Sequence, residues 1–149
     1  MERRFETADW WIAGGGFVLL FSSVLPWWTL RIPGNPGLSF DGKDFTSTGI
    51  VPVALLLVVA MLTVVIKTET VRLPLWLVHP YLITLVVLVA VVLVGVRFFW
   101  SGFEDDDGVT RSFGMYLAMA AALASLAGCV MALRGSPQTD DDDMELLDG

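Results

Sequence analysis

Four stretches of this chain hold no acidic residue and share a single basic one, which constrains the fold more than any motif does. They run over 10–28, 49–66, 81–100 and 113–133, and the base is Arg97. An α-helix rises about 1.5 Å per residue and a bilayer's hydrocarbon core is about 30 Å thick, so roughly 20 apolar residues make one crossing. A helix on a soluble protein carries a polar face along its whole length. These runs are apolar on nearly every face, and the polar residues fall in blocks between them. Hydrophobic residues make up 55% of the 149 and charged ones 17%, with mean hydropathy +0.69, well above ordinary soluble composition. The expected fold is an all-α membrane protein: a four-transmembrane-helix bundle over 1–134, followed by a disordered acidic cytoplasmic tail over 135–149.

Tryptophan marks the borders of these runs. Its apolar body and single N–H donor settle it where hydrocarbon meets water. Trp10 and Trp11 open the first run and Trp27 and Trp28 close it. The two pairs are 17 residues apart, roughly 25 Å of helix. Pro26 has no N–H and disfavours helix at Leu25, so it ends or kinks the span there. Trp100, beside Phe98 and Phe99, closes the third run. Trp10, Trp11, Trp27, Trp28 and Trp100 are therefore expected as interfacial anchors. Arg97 lies close enough to its run's end for the side chain to reach the headgroups. The segment "MERRFETAD" precedes the first run, but "LPWWTLR" follows it in place of a small-residue cleavage pattern, so the run is expected to be retained as a span. Asp9, Ser47 or Thr48, and Ser112 stand where helix N-caps belong.

Four crossings leave both termini on one side. With Arg3 and Arg4 ahead of the first span, the positive-inside rule places that side in the cytoplasm, giving a multi-pass protein of the cell membrane. The outer loop 29–48 carries the turn signal Asn35-Pro36-Gly37 and is read as a small β-hairpin over the bundle. The inner loop holds an apolar piece, 73–78, that suits either an interfacial turn or an early extension of the third helix.

Lipid tails solvate leucine as well as a neighbouring helix does, so association of spans relies on small residues. Gly114, Ala118, Ser125 and Gly128 form a stripe at helical spacing on the fourth span, and Gly14 and Gly15 lie on the first. These six are the expected packing residues, with the first and fourth spans in contact.

Little in the sequence carries chemistry. There is one histidine, His79, and one cysteine, Cys129; neither builds a metal site or a nucleophile with its base. No cofactor, metal or catalytic residue is expected. The net charge of −7 argues against nucleic acid as a partner. The tail places Met144, Leu146 and Leu147 within an acidic run, a pattern suited to docking on a basic groove.

A glycine-rich first span runs into "LPWW", then "FDGKDFTSTGI" and an apolar span, and the last span opens "RSFGMYLAMAAALASLAGCVMALR". This order resembles small four-span membrane proteins of actinobacteria and haloarchaea. The resemblance implies architecture and transfers no functional residue. Claudins and tetraspanins are similar in span count alone; the chain lacks their outer-loop cysteines. The expected role is non-enzymatic: an accessory or interaction subunit of a larger membrane assembly, its partners the bilayer and either another membrane protein or further copies of itself. The alternatives are an oligomeric pore or small-solute facilitator, and a lipid-interacting sensor at the outer surface. The sensor reading would use Arg31, Lys43, Asp41 and Asp44 beside the Trp27–Trp28 shelf.

Overall fold

The computed structural model describes residues 6–31, 33–34, 37–68, 79–100 and 108–135. These are mostly helical (77%). The elements in chain order are α1 (Thr7–Ser22), β1 (Pro26–Leu30), β2 (Leu38–Asp41), α2 (Val51–Thr68), α3 (Pro80–Phe99), β3 (Val109–Arg111) and α4 (Phe113–Gly135). A 3-10 turn, Gly42–Asp44, and a turn of π-helix, Thr46–Ile50, lead from β2 into α2. Among the described residues three helices are long and apolar enough to cross a membrane: Thr46–Thr68, Pro80–Phe99 and Phe113–Gly135. That is compatible with a membrane-embedded protein.

The first helix departs from expectation. It ends at Ser22, and the residues expected to carry it on to Trp28 instead turn at Ser23 to Leu25 and enter β1. Pro26 supplies the reason, since it cannot continue a helix and biases Leu25 towards extended backbone. At 16 residues, α1 is about 24 Å long.

The hairpin expected between the first two helices is present and extends further than expected. β1 pairs antiparallel with β2 on one side and with β3, from the loop between α3 and α4, on the other. The sheet order is β2-β1-β3. The register slips between Pro26 and Trp28. A bulge of this kind bends the strand and re-aims its side chains, and here it leaves the adjacent Trp27 and Trp28 both buried.

Asp9 does not precede α1. It sits in the first turn and accepts the Glu6 backbone N–H at 2.8 Å, with Glu6 as the residue before the helix. Ser112 does precede α4, but its hydroxyl bonds the Thr29 hydroxyl at 2.6 Å, tying β1 to the helix start. The α2 end is closed by the Phe45 carbonyl, which accepts the N–H groups of Gly49 (2.8 Å) and Ile50 (2.9 Å).

The most extensive helix contact is α1 with α4, followed by α1 with α2. Small residues bring these backbones together. A Cβ on Gly15 would run into the Ser125 hydroxyl and would lie 2.6 Å from the Ala121 carbonyl; one on Gly128 would lie 2.8 Å from the Ala8 carbonyl. Ala118 is fully buried. A Cβ on Gly114 would lie 2.7 Å from the Pro26 carbonyl, so this residue packs α4 against the strand start instead of against a helix. Gly14 is a correction: nothing lies within 4 Å of its Cβ position. The neighbouring Gly16 packs in its place, 2.6 Å from the Leu56 carbonyl of α2 by the same measure.

Candidate functional site

Two places gather polar chemistry, one at each end of the bundle. At the sheet end, Trp27 and Trp28 correct the expectation of interfacial anchors. Trp27 is fully buried, and its Nε1 donates to the Ser22 carbonyl at 2.9 Å, closing the last turn of α1 from outside. The indole lies on the backbone of Gly42, where a Cβ would come within 2.5 Å of the ring. The Trp27 carbonyl in turn accepts the Ser112 N–H at 2.9 Å. One residue thus joins three elements: its side chain meets the end of α1 and the turn before α2, and its backbone carbonyl holds the start of α4.

Trp28 is 3% exposed. The Arg97 guanidinium lies 5.9 Å from its ring centre and that of Arg111 lies 5.4 Å away. Both distances fit cation–π attraction. Arg111 also sits 5.1 Å from the Phe98 ring and donates from Nε to the Phe98 carbonyl at 2.8 Å, fastening β3 to the last turn of α3. The expectation that Arg97 extends to the headgroups is likewise corrected. The side chain is buried, with its guanidinium 3.4 Å over the Phe45 ring. The segment between β2 and α2 folds across the end of α3 and covers it. Beside it opens a cavity of about 400 Å³, lined by Arg97, Thr46, Ser47, Thr48 and Trp100 among others.

The opposite end holds a smaller cavity, about 130 Å³, to which all four helices contribute. Ile12, Ile66 and Ile83 form much of its wall, with Thr63, Thr84 and Cys129. Asp9 and Lys67 also line it. They make an ion pair of 2.8 Å between the start of α1 and the end of α2, and both side chains are largely shielded from solvent. The Thr63 and Thr84 hydroxyls bond back to the carbonyls of Val59 (2.9 Å) and Pro80 (2.8 Å).

Of the remaining sequence-derived positions, Trp10, Trp11 and Trp100 are exposed. The 73–78 piece, Trp76, the acidic run 104–107, and Met144, Leu146 and Leu147 lie outside the described residues. The sequence reading missed Gly42, Phe45 and the Asp9–Lys67 pair. "FDG" ahead of "KDF" holds the signal for two of these, a small residue that admits an indole and an aromatic one turn later. The ion pair spans 58 positions and leaves no local trace. Compared with protein-family models, with curated proteins and with solved structures, the chain has no match in any of the three.

Proposed function

We propose that this chain is a non-enzymatic, four-span protein of the cell membrane that serves as an accessory or interaction subunit of a larger membrane assembly. Both termini lie in the cytoplasm and the sheet lies on the outer face. In this reading α1 is the fourth span. Its 16 helical residues reach about 24 Å, and the turn 23–25 completes the passage before the sheet begins.

The observation that carries the reading is the outer flank of α3. Only 22% of its apolar window is buried, against 39% for the helix containing α2. Tyr81, Leu85, Leu88, Val92 and Phe99 all point outward. Packing within one chain leaves this flank for lipid or for a second protein. Gly15, Gly16 and Gly128 bring backbones into close approach along α1, so a solute path would have to form between copies. That weighs against the pore reading for a single chain. The 400 Å³ cavity beside Arg97, with three hydroxyl-bearing neighbours, favours lipid sensing as the second reading.

The test is the native mass of the protein released from its own membrane in mild detergent. The accessory reading expects a stoichiometric second polypeptide beside the 16.3 kDa chain. A mass at multiples of the chain alone would support self-association, and a monomer with no companion would overturn the assembly reading.

A further inference from the structure

The 130 Å³ cavity between the four helices combines a small-molecule size with an apolar lining and unused hydrogen-bonding capacity. An apolar cavity of about 150 Å³ is large enough to take up benzene, so this one suits a molecule with about five or six carbons inside. Three helices each contribute one isoleucine to its wall: Ile12 from α1, Ile66 from α2 and Ile83 from α3. A single charged group of each sign faces in, and these neutralise each other, Lys67 Nζ lying 2.8 Å from Asp9 Oδ2. A charged ligand would have to break that pair. An uncharged one need not. Asp9 is already committed twice, to Lys67 and to the Glu6 N–H. Lys67 has three N–H donors, and among the described residues its one bonded partner is Asp9. Thr63 and Thr84 have turned their hydroxyl protons to their own helices. What the cavity offers is hydrocarbon contact with spare cationic donors at one wall.

We propose that this cavity binds an uncharged carbonyl-bearing hydrocarbon, with the carbonyl oxygen accepting from Lys67 and the short chain lying among Ile12, Ile66 and Ile83. Two sources share that chemistry: the ester-linked segment of a membrane glycerolipid and a free small ester. The inference rests on the bilayer location of the preceding reading and is independent of any protein partner.

The experiment uses the full chain in nanodiscs of ether-linked phospholipid, which carries no ester carbonyl, with isoleucine methyl groups labelled for NMR. Methyl butanoate and n-hexane are titrated separately. The expected result is saturable shifts at Ile12, Ile66 and Ile83 with none at Ile50, which sits at the sheet end. The ester-to-hexane affinity ratio should fall about tenfold in Lys67→Met, since a hydrogen bond to a charged donor is worth about that factor. The comparison between proteins cancels partitioning into the disc. Ala132→Phe fills the cavity and keeps every polar group, so it should abolish the shifts, and it serves if Lys67→Met fails to fold. Absence of shifts at the three isoleucines, shifts retained in Ala132→Phe, or an affinity ratio unchanged in Lys67→Met would overturn the proposal. Repeating the titration in ester-lipid discs separates the sources. Shifts present before any addition assign the site to lipid, and shifts that need the free ester assign it to the small molecule. Co-elution of the chain with the discs reports separately on membrane location, and the native mass reports separately on assembly.

Discussion

Trp27 Nε1 donates to the carbonyl of Ser22, five residues earlier, at 2.9 Å. The bond turns the strand that follows α1 into the lid of its own helix. A helix leaves its last carbonyls without partners inside the helix, and a buried carbonyl left unbonded is costly. The Ser22 carbonyl also accepts the Leu25 N–H at 3.1 Å, so Trp27 gives it a second bond while its ring fills the space over Gly42. Trp27→Phe keeps most of the ring and loses the bond, so it should cost about 1 kcal/mol. Trp27→Ala also empties the core beneath the sheet and should cost about 3–5 kcal/mol. Reversible unfolding of the purified chain in micelles reads both values, and equal losses in the two variants would refute the assignment.

Glycines two positions apart on α1 should respond in opposite ways. Gly16 meets the Leu56 carbonyl and the Ala60 methyl, whereas Gly14 has open space. Gly16→Ala forces α1 from α2 and should destabilise by about 1–3 kcal/mol. Gly14→Ala should be neutral or stabilise by up to about 1 kcal/mol through its helix preference. The same unfolding assay decides between them.

The Asp9–Lys67 pair joins the first turn of α1 to the last of α2 at 2.8 Å, with side chains 11% and 18% exposed. A double-mutant cycle with Asp9→Asn and Lys67→Met should return a coupling of roughly 1.5–3 kcal/mol, the range for hydrogen bonds to charged groups. Because the pair is largely shielded, the coupling should change little between low and high salt. A coupling near zero would mean that the two side chains act independently.

What the sequence made legible was set by lengths and local chemistry. The three long apolar runs became α2, α3 and α4 because a run with few polar groups of that length has little alternative to helix. The segment read as a hairpin supplies β2, which pairs with β1, and small residues on α1 and α4 lie where those helices meet. What stayed hidden depended on partners distant in the chain. Trp27 and Trp28 look the same in sequence whether they face headgroups or a core. Their burial is decided by β2, β3 and a bulge, none of which a tryptophan pair encodes. Arg97 looked free to extend because Phe45, its cover, lies 52 positions away. The cavity near Lys67 exists only once four helix ends converge.

If α1 crosses the bilayer with the other three helices, the sheet and the Asp9–Lys67 end face opposite compartments. The most direct measurement is labelling of single cysteines at Thr7, Ser39, Thr68 and Thr110, each in a Cys129→Ala background, with a membrane-impermeant maleimide on intact cells. With four spans, positions 39 and 110 react from outside, and 7 and 68 react only after permeabilisation. Reaction of position 7 together with 39, while 68 remains protected, would leave α1 on the surface and contradict the four-span architecture.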